Sequence, residues 1–318
     1  MRLAELLDSV DMLLRMYGYR VEHIRYPDEP SRRSIDVVAV KDGKEMLVKV
    51  VEDTRDLSAT DVRELNACSN VLEAAGIIVA GSDNGEEIDY MVALEKGGTY
   101  AVSVEGLESA LRGGVYVVRR QNNYYMRVDG AKLKEKRLEK GYSLGDVAAY
   151  LSVSRRSVYL YEQEESLVSL PVALKLMELF GEDIFKPFNI IEQEHAHREA
   201  RIYASLSQTS SKAQLARILA SHGYSVAATR RIPPDIVADK SGAKKGKSRI
   251  IVVVERKRDS VLERRIEEAK RVANQLQAEI VAFTQRRYIA EDYDVEVIKN
   301  IDELRLLIAE KDSEADNV

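Results

Sequence analysis

The sequence has one cysteine, Cys68, and no tryptophan. A single thiol leaves no partner for an internal disulfide and too few ligands for a cysteine-based zinc site. It also suits a reducing compartment, so a cytoplasmic location is expected. Histidine is scarce too, at four residues. His195 and His197 stand two apart on an expected helix and face different ways, a poor metal pair. His23 and His222 have no evident partners. No apolar run is long enough to span a bilayer, so no membrane association is expected. The N-terminal Met-Arg-Leu-Ala-Glu-Leu-Leu-Asp carries acids early, unlike a signal peptide. There is no Walker-type glycine-rich loop, and Asp83-Asn-Gly85 reads as a turn, not a calcium loop. A formal net charge of −5 argues against uniform coating of nucleic acid. Any such binding needs locally clustered base.

What is present reads as three segments, two of them alike. A length of 318 residues suits two or three domains. The N-terminal segment shows an amphipathic helix over 3–17, a strand over 19–24, and a hairpin of 35–40 with 46–51 about Asp42-Gly43. A helix to about Ala75 and a strand over 76–80 follow. The C-terminal segment repeats this order: a helix over 212–221, strands at 224–229, 235–239 and 249–254, a helix over 262–276 and a strand over 279–283. Gly18-Tyr19 echoes Gly223-Tyr224, and Asp36-Val-Val-Ala echoes Asp235-Ile-Val-Ala. These echoes indicate an internal duplication. Between the copies, 116–120 and 124–128 read as a small hairpin leading into helices. The charged stretch Glu192–Tyr203 reads as a bridging helix, and the acidic tail from Lys311 reads as disordered.

The central segment carries the clearest motif. Ser143 can cap a helix with Asp146 at the capping-box position, and Val147, Ala148 and Leu151 line one face. Ser152-Val153 is a turn, and Ser154 caps a second helix with Val158 and Tyr161 inward. Arg155, Arg156, Ser157 and Tyr159 then face outward near its N-terminus, a short basic helix of the kind the major groove accepts. With Leu133–Gly141 before it and Pro171–Gly181 after it, residues 130–185 resemble a lambda-repressor/Cro-type helix-turn-helix domain. The resemblance implies an all-α domain of five helices that binds duplex DNA, usually as a dimer. It also implies base contacts from Arg155, Arg156, Ser157 and Tyr159. Ser154 lies with them, and Lys132, Lys134, Arg137 and Lys140 would contact phosphates. Two positions depart from the family pattern. Leu144 stands where a glutamine is common, and Gln163-Glu164-Glu165 follows Glu162 where a glycine is common.

The C-terminal copy adds Pro234-Asp235 and, twenty residues on, Glu255-Arg-Lys257. This resembles the PD-(D/E)XK nuclease signature. The resemblance implies that Asp235 and Glu255 hold Mg²⁺ and that Lys257 assists a metal-bound water. If Glu255 and Lys257 lie on a strand they point the same way. Basic residues cluster nearby: Arg230, Arg231, Lys244, Lys245, Lys247, Arg249, Arg256 and Arg258. The first helix of this copy has no acid, where many active members add one. In the N-terminal copy Asp36 matches, but Lys49 takes the Glu position and Val51 the Lys position, so that copy reads as degenerate.

The expected architecture is therefore α/β multidomain. A degenerate nuclease-like module (1–117), a helix-turn-helix domain with its leading hairpin (118–190), a second nuclease-like module (191–310) and a disordered tail (311–318) follow in order. The layout looks like archaeal helix-turn-helix transcriptional regulators. The leading expectation is a sequence-specific regulator of double-stranded DNA, a homodimer needing no cofactor. The alternative is an Mg²⁺-dependent endonuclease or junction-processing enzyme using Asp235, Glu255 and Lys257. A protein-interaction adaptor is a third.

Overall fold

A computed structural model of the chain describes residues 2–192, 202–203, 210–240 and 249–316. His195, His197, the basic turn at Lys244, Lys245 and Lys247, and most of the expected bridging helix lie outside them. The chain forms two compact units: Met1–Ile78 with Gln193–Val318, and Val79–Glu192.

The first half of the first unit runs α1 (Leu3–Met16), β1 (Arg20–His23), β2 (Val37–Lys41), β3 (Lys44–Asp53), α2 (Ala59–Leu72) and β4 (Ala75–Ser82). Leu6, Val10, Leu13 and Leu14 recur at helical spacing and make the buried face of α1. β1–β2 and β2–β3 are antiparallel, and β4 carries the chain into the second unit.

The second unit continues with β5 (Val92–Lys96), β6 (Thr99–Val102), α3 (Val104–Arg112), β7 (Val117–Arg120) and β8 (Asn123–Val128). Helices α4 (Gly130–Glu139), α5 (Leu144–Leu151), α6 (Arg155–Glu162) and α7 (Leu170–Phe180) follow, with short strands β9 (Val168–Ser169) and β10 (Phe185–Lys186). Four α-helices thus stand where five were expected, and the last turn, Glu182–Ile184, is 3-10. The domain is not all-α either. β8 pairs with β9 and β10, and its Met126 and Val128 join Leu133, Val147, Leu151, Val158, Leu176 and Phe180 in one core. The compact units divide after Ile78, and within the second β5 pairs with β7 in parallel and Val115 bonds to Phe188.

The chain then returns to the first unit. β11 (Ile202–Tyr203) is a strand at the end of the expected bridging helix. It is followed by α8 (Ser211–Ser221), β12 (Tyr224–Ala228), β13 (Ile236–Lys240), β14 (Arg249–Val254), α9 (Leu262–Leu276), β15 (Glu279–Phe283), α10 (Tyr288–Tyr293), β16 (Glu296–Ile298) and α11 (Ile301–Asp316). The sheet order is β11-β12-β13-β14-β15-β16. α11 runs to Asp316. Its first turns are anchored by the fully buried Leu304 and Ile308.

The two halves of the first unit repeat in detail. α1 and α8 both stop at a left-handed glycine, Gly18 (φ +84°) and Gly223 (φ +87°). Lys41 lies 5.8 Å from the Tyr19 ring centroid, and Lys240 lies 5.5 Å from that of Tyr224. The halves also pack on each other reciprocally: α2 covers β12 and β13, while α9 covers β1 and β2. Glu64 of α2 accepts from the Arg230 N–H at 2.8 Å, and Glu268 of α9 accepts from the Arg25 N–H at 3.2 Å. Both glutamates are buried. The contact is self-complementary, as in a twofold dimer, but lies within one chain.

Candidate functional site

The helix-turn-helix is built from the inside out. Ser143 and Asp146 form the reciprocal capping box at the start of α5. Ser152 takes the left-handed conformation (φ 59°) that ends α5, and Val153 N–H bonds back to Ala148. The Ser154 hydroxyl caps α6 by accepting from the Ser157 N–H at 3.0 Å. Gly130, the first residue of α4, lies against the end of α6. A Cβ there would sit 2.2 Å from the Glu162 carbonyl oxygen, so no other residue fits without moving the helices apart.

Val158 and Tyr161 face the core, leaving Arg155, Arg156 and Tyr159 exposed, with Tyr159 at 49%. Ser157 is half-buried, with its hydroxyl 2.9 Å from that of Ser154. Arg155 rests along the first turn of α5, where a Cβ on Gly145 would lie 3.0 Å from its Nε.

Arg137 is a correction. It is buried and forks onto the Glu162 carboxylate, with Nε at 2.5 Å from Oε1 and Nη2 at 3.2 Å from Oε2, so it fastens α4 to α6 and is withdrawn from phosphate. Lys140 bonds the Leu179 carbonyl and stands 5.9 Å from the Phe180 ring centroid, turned to the end of α7. Lys132 lies 3.4 Å from the Asp183 carbonyl, and Lys134 is exposed. Two of the three acids at the end of α6 have partners within the protein. Glu162 is neutralised by Arg137. Glu164 accepts from the Gly130 N–H at 3.1 Å and pairs with Lys186, which together hold its carboxyl below the usual range.

The nuclease-like residues have a different fate. Asp235 is buried at the start of β13, and its Oδ2 accepts from the Val254 N–H at 2.9 Å. The same oxygen pairs with the fully buried Arg265. Its Oδ1 lies 2.9 Å from Lys212 and 3.3 Å from Arg256. Burial pushes this carboxyl up, but Lys212, Arg265 and the Val254 N–H outweigh it and hold it below the ordinary range. Glu255 lies past the end of β14. Its carboxylate is taken by Arg286 at 2.9 Å, by the Thr284 hydroxyl at 2.6 Å and by the Gln285 N–H at 3.3 Å. Lys257 is exposed in the turn beyond the strand, so the strand alternation expected to align it with Glu255 does not apply.

The residues do not fit Mg²⁺. A hard dication needs free carboxylate oxygens, and both oxygens of Asp235 already carry cations. Among the described residues no cluster of three His, Cys, Asp or Glu could hold a metal. The first half makes the same substitution differently. Lys49 Nζ sits 3.0 Å from Asp36 Oδ2, which also accepts from the Val50 N–H at 2.8 Å. Here burial prevails and the Asp36 carboxyl is raised, with Oδ1 left without a hydrogen-bond partner.

The sequence reading missed Lys212, Arg265 and Asp259, which pairs with Arg265 at 2.5 Å. A signal was available. Arg265 falls on the apolar stripe Leu262, Ile266, Ala269 of α9, and a charge on a buried face demands a partner.

Two family models match the chain: a PD-(D/E)XK superfamily domain over residues 3–117 and a helix-turn-helix over residues 133–186. The first covers the half that carries Lys49. An Aeropyrum pernix protein named "Putative HTH-type transcriptional regulatory protein" is 33% identical over 249 residues, or 77% of this chain and 74% of its own length. The chain belongs to this family. Similarly described relatives occur in Sulfurisphaera tokodaii, at 29% identity over 96% of this chain and 99% of the relative. Another, in Saccharolobus solfataricus, is 30% identical over 87% and 86%. The alignment over nearly the full chain takes in both units. No solved structure is significantly similar to the chain. Among the described residues no helix is long and apolar enough to cross a membrane.

Proposed function

We propose that the chain is a sequence-specific DNA-binding transcriptional regulator that reads the major groove with α6. One observation carries this reading: α6 offers Arg155, Arg156 and Tyr159 outward from a fixed core, while Glu162 and Glu164 behind it are neutralised within the protein. In this reading Arg155, Arg156, Ser157 and Tyr159 reach base edges. Ser154, Lys132 and Lys134 lie toward phosphates. The regulator acts as a homodimer on near-palindromic half-sites about one helical turn apart. The two related halves of the first unit use one another's faces, so a second chain pairs through a different surface. The second half is read as a further nuclease-like module that holds arginine and lysine where a nuclease holds metal.

The test is mobility shift on sites selected from a random duplex library, run with Mg²⁺. Arg155→Ala is expected to cost ~1–3 kcal/mol and to relax one base position. Equal loss on all sequences would remove the base-reading role. DNA that is shifted but intact supports the regulator. Cleavage abolished by Glu255→Ala would restore the nuclease.

A further inference from the structure

The arginines of the first unit converge on a cleft that DNA reading by α6 does not use. It holds about 210 Å³ and is lined by Tyr26, Pro27, Arg32, Arg230, Arg231 and Arg256. Four of the six are arginines and none is acidic. Tyr26-Pro27 follows β1 and Arg230-Arg231 follows β12, so equivalent turns of the two related halves face each other across it.

Two of the four arginine side chains, Arg231 and Arg256, are anchored by buried aspartates, while Arg32 and Arg230 are exposed. Arg231 pairs at 2.8 Å with Asp61, which is 1% exposed, and Glu64 accepts from the Arg230 and Arg231 N–H groups at 2.8 and 3.4 Å. Glu64 is fixed in turn by the Ser34 hydroxyl at 2.7 Å. Arg256 reaches Asp235, but Asp235 already carries Lys212 and Arg265, so the positive charge on that wall is in excess.

We propose that this cleft binds the phosphate group of a small phosphorylated ligand, a mononucleotide or similar ester, bridging the two halves of the first unit. Guanidinium forks match phosphate oxygens bidentately, and prior fixing lowers the ordering cost of binding. The volume falls below the ~300–1,000 Å³ of sites for drug-sized ligands, which suits one phosphate and a small attached group. The half-buried Tyr26 lines the cleft, with the Arg264 guanidinium 5.8 Å from its ring centroid. A ligand spanning both halves stabilises their contact by mass action.

The test is calorimetric titration of the full chain, without DNA, using inorganic phosphate, AMP and ATP in turn. Saturable binding of phosphate or a nucleotide is expected. It should weaken at least tenfold in Arg32→Ala/Arg230→Ala, two exposed side chains, and stay unchanged in Arg305→Ala, exposed on α11. Hydrogen exchange on the unsubstituted protein gives a readout independent of any variant: slowing is expected at residues 25–32 and 230–231. Absence of saturable binding by all three probes, binding that survives the double substitution, or no slowing in those segments would each overturn the proposal. So would a double variant that loses only non-operator DNA affinity while the parent binds no free phosphate, because the arginines would then serve the DNA backbone. None of these readouts depends on α6.

Discussion

The two halves of the first unit carry one aspartate each at the same place, before the second strand of the copy, with the same backbone N–H bond from the neighbouring strand. Asp36 faces a single lysine, Lys49, from β3. Asp235 faces Lys212 from α8, Arg265 from α9 and Arg256 from the turn after β14. Both are buried, yet their ionisation moves in opposite directions: Asp36 is raised and Asp235 lowered, with desolvation the largest single influence on each. Burial alone therefore does not decide the charge state of a carboxylate. The number of cations it meets decides whether desolvation is outweighed. Both aspartates are met by protein cations, and the two arrangements differ.

The largest effect should come from removing the shared anion. Asp235→Asn leaves Lys212 without its carboxylate and Arg265 with Asp259 alone, and loss of one partner of a buried charge pair costs about 3–5 kcal/mol. Urea unfolding followed by far-UV circular dichroism should show the first unit melting well before the parent. An unchanged midpoint would mean the network is not holding that half together.

A smaller effect is expected when a whole pair is exchanged. Asp36→Asn/Lys49→Met removes both charges at once, which at buried pairs is often neutral or stabilising. Its unfolding free energy should fall within about 1–2 kcal/mol of the parent. No equivalent two-residue exchange exists in the other half, since Arg265 serves Asp235 and Asp259 together. A large loss in the double variant would erase that distinction.

The smallest and most diagnostic difference is in pH. Asp235 is lowered in the fold, so its contribution is present above the unfolded carboxyl value of about 3.9 and fades as pH falls through the lower folded value. Asp36 is raised, so the fold gains relative stability as pH falls through its folded value toward the unfolded one. The parent's advantage over Asp235→Asn should shrink in acid, while its margin over Asp36→Asn should widen. Parallel curves would refute the opposite ionisation.

Much of this architecture is legible in the chain. α9 and β15 fall where periodicity places them, because an apolar stripe or run bounded by polar turns leaves little freedom. The capping serines of α5 and α6 likewise mark their own helices. Residues 83–115 gave only a turn. β5 takes its place from antiparallel pairing with β6 and from parallel pairing with β7, which lies beyond α3 in the sequence. The charged sites misled for a related reason. Pro234-Asp235 and Glu255-Arg-Lys257 record which acids are present, but not that Lys212 and Arg265 arrive from other helices to fill them. Arg137 failed in the same way, since its partner Glu162 is two helices away.

The first unit is assembled from the two ends of the chain, with all of the second unit between them. A ribosome therefore delivers Asp61 and Glu64 long before it makes the arginines that neutralise and cover them, whereas the helix-turn-helix segment is contiguous and has all its own core residues in hand. Domains fold as units as they emerge, and closing a long intervening segment adds only slowly to the entropic cost. A nascent chain arrested after residue 192 carries a finished reading head on an unfinished body. Its buried acids and the uncovered faces of α2 and the β1–β2 sheet then become the marks by which quality control tells it from the complete protein.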